Sequence, residues 1–156
     1  MSAVTPPPFH RHLLALVYDT FLVVPIIMVS TALVMMLYVQ VVPVNTSEEV
    51  VALPSGLVQT TAVFSVAMFY FIFWRRGGQT LGMQAWRVKL VNKYGCPATT
   101  LQIVLRLMTA IPSYGLFGLG LAWRFIDPSK RYLHDRLSGT RLTSVEKSNK
   151  SRRSIQ

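Results

Sequence analysis

A single Asp interrupts an apolar run that extends from residue 13 to residue 42, and this combination limits the possible folds more than any other feature of the chain. A hydrocarbon layer ~30 Å thick calls for about 20 consecutive, mostly apolar residues in a helix. A soluble helix would instead confine its apolar residues to one stripe. The run is also about twice the length of the 7–15-residue core of a signal peptide. It closes on Val39-Gln40-Val41-Val42-Pro43 rather than on a small-x-small cleavage site, so it reads as a retained anchor. A first transmembrane helix is expected over about residues 13–38. Pro25 in its middle cannot donate to Phe21, which predicts a kink or a freed carbonyl.

A second helix is expected over about residues 57–74. It is uncharged, rich in Val, Phe and Tyr, and stops at Trp74-Arg75-Arg76. The connecting residues 43–56 hold Glu48 and Glu49 and no Lys or Arg. Cytoplasmic loops carry the excess of Lys and Arg, so this loop faces outward and both helix pairs of ends return to the cytoplasm, N-terminus included. The 156 residues are 51% hydrophobic and 14% charged, which suits one membrane unit rather than two domains. The net charge of +10 points to anionic lipid on the cytoplasmic side. No basic run is interleaved with stacking aromatics, which argues against nucleic acid.

After a turn-rich stretch at residues 77–82, residues 86–91 alternate apolar and basic side chains as a strand does, and residues 92–95 form a turn. A third apolar segment, residues 101–123, carries Arg106 and is interrupted by Pro112, Gly115, Gly118 and Gly120. If it crossed the membrane fully, the basic residues from Arg124 onward would lie outside, against the charge rule. A re-entrant or interfacial helix pair, bent near residues 112–115, keeps them inside. Thr99, Gln102, Arg106, Thr109 and Ser113 recur at spacings of three and four and form one polar stripe. Such a stripe faces a partner helix, a cavity or the head-group layer, the last being the surface-lying alternative. The expected architecture is therefore mainly α and integral to a membrane. It has two transmembrane helices, a third broken apolar segment (re-entrant, interfacial or spanning) and a small cytoplasmic β element. An extended tail occupies residues 1–8, the membrane domain residues 9–143, and a basic disordered tail residues 144–156.

Asp19 lies about six residues inside the first helix, or roughly 9 Å by helical rise. An ionised Asp at mid-bilayer costs on the order of 3 kcal/mol on insertion scales, and less near the interface. It needs an inward face and a partner. Arg106 is the first candidate and His12, nearly two turns away on the same face, the second. The pair is either structural or part of an ion or proton site. A second cluster spans residues 127–140, where Asp127-Pro128 begins a turn, residues 133–138 suit a short helix and Gly139 its C-terminal stop. There Asp135 has Arg136, Arg131, Arg87 and Arg106 as possible partners. Cys96 stands alone, so no disulfide forms within the chain. His10, His12 and His134 lack metal-ligand spacing. Gly77-Gly78 with Gly82 is not followed by the Lys of a phosphate loop, and no nucleophile motif is present. An enzyme, a cofactor and a metal are not expected.

The stretches RHLLALVYDTFLV, QTLGMQAWRVKLVNKYG and LHDRLSGTRL, in this order, resemble the RDD family of small bacterial membrane proteins over about residues 9–143. The family is named for an Arg at the start of its first helix and for two Asp. By resemblance Asp19 is the first Asp and Asp135 the second. The position of the Arg holds His12, with Arg11 one residue earlier. Arg11 points roughly 80° away from the Asp19 face by helical geometry, and His12 is a pH-sensitive substitute. The resemblance implies the bacterial cytoplasmic membrane and proton-coupled transport of a cation or small solute. Two or three spans cannot enclose a pathway alone, so a homo-oligomer or a membrane partner is expected. The competing expectation is a non-transporting scaffold or accessory subunit.

Overall fold

The computed structural model describes residues 6–42, 52–115, 123, 127 and 132–145. Two long helices dominate it. Helix α1 runs Phe9–Val41 and α2 runs Ser55–Gly77. At 1.5 Å per residue they are about 50 and 35 Å long, so each is long enough to cross a ~30 Å hydrocarbon layer. Both extend past the expected limits, and α1 continues through Pro25. Its buried residues are His12, Ala15, Asp19 and Val23, one stripe confined to the N-terminal half. Beyond Val23 the helix shows its apolar side chains outward, Met28, Met36 and Leu37 among them. On the side toward α2, Ile27, Val34 and Met35 are part-buried, and a hydrogen bond of 2.8 Å joins the hydroxyls of Ser30 and Ser65.

The core lies at one end of the long helices. Gly78 terminates α2 in the left-handed region at φ 69°, which favours glycine. Its carbonyl then accepts from Leu90 N at 2.7 Å. A one-turn helix α3 (Leu81–Ala85) and strand β1 (Val88–Asn92) follow. Asn92 Oδ1 closes the next turn by accepting from Tyr94 N and Cys96 N, at 2.8 and 3.0 Å. Helix α4 (Thr100–Gly115) opens on a reciprocal cap. Thr99 Oγ1 accepts from Gln102 N at 3.4 Å, and Gln102 Oε1 accepts from Thr99 N at 3.0 Å. The short helix α5 (Leu133–Ser138) ends at Gly139, φ 65°, as its sequence predicts. Strand β2 (Thr140–Ser144) then pairs antiparallel with β1, Val88 opposite Ser144 and Asn92 opposite Thr140. Val88, Leu90 and Leu142 turn inward from this ladder onto Ala15, Met83, Ile103 and Tyr132.

The structure adds to two expectations. The strand has a partner in residues 140–144, which the sequence reading did not supply. In the third apolar segment α4 passes through Pro112 and stops at Gly115, within the stretch where the bend was expected. One lost donor, at Pro112, is a local cost that a helix already packed on α2 and α5 absorbs. Most of the second half of that segment lies outside the described residues, as do residues 1–5, 43–51, 128–131 and 146–156; Ser144, expected to open the disordered tail, instead closes β2.

Candidate functional site

Asp19 is 1% exposed and is held by the α2–α3 connection. Thr80 Oγ1 donates to Asp19 Oδ2 at 2.5 Å, and Gly82 N donates to Asp19 Oδ1 at 2.9 Å. The Thr80 hydroxyl has a second task. It caps α3 by accepting from Met83 N at 3.1 Å. Gly82 must be glycine for this geometry. A Cβ there would run into the carbonyl oxygen of Ala15 and lie 2.8 Å from Asp19 Oδ1. Hydrogen bonds to a charged group contribute about 1.5–3 kcal/mol each, so two of them match the order of the cost of placing the carboxylate here.

Arg106 was the first candidate partner of Asp19, and the structure assigns it elsewhere. Its Nη1 donates to Asp135 Oδ1 and, at 2.8 Å, to Thr140 Oγ1. Arg106 and Asp135 are each 2% exposed. The guanidinium carbon also sits 5.0 Å above the ring of Trp74, a cation–π arrangement. The physical reason is placement: α5 and β2 lie against the polar stripe of α4, whereas α3 lies against Asp19. Gln102 follows the same stripe, donating to Gly139 O at 3.4 Å. The N-terminal part of the stripe, Gln102 and Arg106, therefore faces the partner elements α5 and β2. Of the partners weighed for Asp135, Arg106 is one that it meets.

His12 and Arg11 part company. His12 is buried and Arg11 is half-buried. The His12 ring packs on Tyr132 at 4.8 Å, and Tyr132 stacks parallel on His134 at 5.5 Å. His134 Nε2 lies 3.7 Å from Asp135 Oδ1. Burial, then the charges of Arg106 and His12, push the His134 pKa from 6.5 down to about 2. The imidazole is thus held neutral.

These residues converge on one cleft of about 1090 Å³ beside α2. His12 and Asp19 reach it from α1, Arg106 from α4 and His134 from α5, while α2 supplies a long apolar wall. A large apolar cavity with a few convergent polar groups is the usual form of a small-molecule site. The RDD family model matches residues 5–139, most of the chain. The chain belongs to the RDD family. No curated protein and no solved structure matches it.

Of the RDD residues named from sequence, His12, Asp19 and Arg106 border the cleft and Asp135 anchors Arg106 from behind. Thr80, Gly82, Tyr132 and His134 were not singled out. The signal for the first two was local, since Thr80 two residues before a glycine and three before Met83 is an N-cap pattern. Tyr132 and His134 lay within the second cluster, but their contact with His12 depends on how α5 and its N-cap fold back against α1.

Proposed function

We propose that this RDD protein is an integral membrane protein that binds a small solute or cation in the cleft and carries it across the bacterial cytoplasmic membrane, coupled to protons. Helices α1 and α2 cross the bilayer, with the N-terminus and the β ladder in the cytoplasm. Arg75 and Arg76 at the end of α2 support that orientation. The observation that carries the reading is the gathering of His12, Asp19, Arg106 and His134 around one largely apolar cleft. Ionisable groups are costly in a membrane and belong by default to function. Asp19 keeps acceptor capacity, since a carboxylate offers about four lone-pair sites and two are used here. Outward apolar faces on α1 and α2 leave room for lipid, for a second copy or for a membrane partner.

The test is solute- or cation-driven proton exchange in everted vesicles, wild type against Asp19→Asn at equal expression. Flux lost in the variant supports transport through this site. Absence of flux for every solute tried in the wild type removes the reading.

A second reading has its own observation. Both oxygens of Asp19 are engaged by Thr80 and Gly82, as in a structural clamp. A non-transporting accessory subunit then follows, and Asp19→Asn lowers stability without any gradient being dissipated.

A further inference from the structure

Helix α4 has a face that the cleft does not explain. Ile103 and Arg106 turn inward, whereas Leu101, Leu105 and Met108 are exposed on the opposite side. Trp74 fixes the depth of this face. It stands at the end of α2 just before Arg75 and Arg76, and an aromatic residue followed by cations marks the edge of the hydrocarbon. Arg106 lies 5.0 Å over that ring, near the same level. Leu101 is five residues closer to the ladder end of the molecule, at most ~7.5 Å by helical rise. The head-group layer of one leaflet is about 5–8 Å thick. The start of α4 therefore lies at head-group depth, and Met108 lies toward the acyl chains.

Three elements meet at this level around one carbonyl. Gly139 O accepts from Lys93 N at 3.2 Å and from Gln102 Nε2 at 3.4 Å. The turn after β1, the start of α4 and the end of α5 each leave a large side chain exposed there: Tyr94 by 67%, Leu101 by 69% and Leu137 by 59%. Cations accompany them. Lys93 Nζ is 4.9 Å from the centre of the Tyr94 ring, and Arg136, next to Leu137, is exposed. Tyr, Lys and Arg are the residues that anchor a chain at a membrane surface, with an apolar body inward and a polar tip in the head groups. Every carboxylate among the described residues is buried (Asp19, Asp127 and Asp135), so no described surface acid offsets Lys93 and Arg136.

We propose that this patch anchors the ladder end of the protein on anionic phospholipid of the cytoplasmic leaflet. Tyr94, Leu101 and Leu137 sit among the head groups, while Lys93 and Arg136 hold the phosphate of a lipid with net negative charge. The proposal rests on the reading above for α2 crossing the bilayer with the ladder in the cytoplasm, and is independent of transport.

Cys96, exposed and two residues past Tyr94, carries the reporter. The full chain, labelled there with an NBD dye, is reconstituted in phosphatidylcholine vesicles holding a minority of phosphatidylglycerol. A quenching nitroxide is placed high on the acyl chain of one lipid or of the other, at equal mole fraction. Both lipids should quench, with phosphatidylglycerol preferred about fivefold or more, the factor that one cation contributes near a charged surface. Lys93→Gln with Arg136→Gln should abolish the preference. Arg87→Gln with Lys89→Gln removes the same charge about 13–20 Å away along the ladder and should keep most of it. Raised salt should lower the preference of the unaltered chain. Lys93 and Arg136 are exposed, so the fold survives their replacement, and melting curves check this. No quenching by either lipid overturns the proposal, as does equal quenching by both. A preference lost equally in the two double variants, kept in the first, or untouched by salt also overturns it. Nitroxide lipid occupies both leaflets, so the readout does not depend on the direction of insertion. Proton exchange in vesicles without lipid preference sinks the anchor and leaves transport standing. Lipid preference without exchange does the reverse.

Discussion

The hydroxyl of Thr80 donates to Oδ2 of Asp19 at 2.5 Å, joining residues 61 positions apart. One oxygen thereby starts α3 and fixes the buried carboxylate of α1. Thr80→Val removes the cap and the bond to the carboxylate together. The expected loss of stability is about 2–4 kcal/mol. Thr80→Ser retains both and stays within about 1 kcal/mol of the wild type. Thermal unfolding of the purified protein separates the two, and equal melting temperatures for Val and Ser contradict the dual role.

Gly82→Ala tests the close approach of α3 to α1. The added methyl meets Ala15 and Asp19 backbone and side-chain atoms at once. Overpacking of this kind costs about 1–3 kcal/mol. Gly56→Ala, in open space on α2, is the control and leaves the melting temperature unchanged or slightly higher.

The Arg106–Asp135 pair is buried on both sides. Removing one partner takes away the opposite charge that the other faces, at a cost of about 3–5 kcal/mol. Arg106→Leu and Asp135→Leu singly should therefore unfold at much lower temperature than the double variant. A double variant as unstable as the sum of the singles would show that the two charges are independent.

His134 makes stability depend on pH. Its folded value, about 2, lies below its ordinary 6.5, so between them the unfolded chain holds the extra proton. The contribution is fully present above 6.5 and is lost as the pH falls through that window. Arg106, Asp135, His12 and Tyr132 all lie around the ring. Melting temperatures should fall as the medium is acidified below about pH 6.5, and His134→Gln should flatten the slope. An unchanged slope would assign the effect to another group.

Cys96 is exposed and is the single cysteine of the chain. A membrane-impermeant maleimide should label it in everted vesicles and not in intact cells. Labelling from the outside would reverse the proposed orientation.

Much of this architecture was legible because it depends on neighbours in sequence. The run around Asp19, the Arg75-Arg76 stop, the alternation at residues 86–91 and the glycine after Ser138 all act locally. The pairing of charges was not legible, because it depends on which elements meet. Asp19 and Arg106 are both charges within apolar helices, so they suggest one another. The chain instead places α3 under the first and α5 under the second. Strand β2 was hidden for a related reason. Its inward positions, Thr140 and Leu142, include a hydroxyl that is buried because it serves Arg106, so residues 140–144 do not alternate cleanly between apolar and polar.

The β1–β2 ladder carries a consequence for topology. Asn92 and Thr140 face each other in one register, so the chain leaves the ladder and comes back to it at the same spot. A hydrogen-bonded strand pair cannot be divided between two compartments. Whatever lies between those two residues must cross a bilayer an even number of times, zero included. Any route in which α4 belongs to one unreturned crossing would tear the ladder apart, so a sheet of two short strands sets the parity of the stretch between residues 92 and 140.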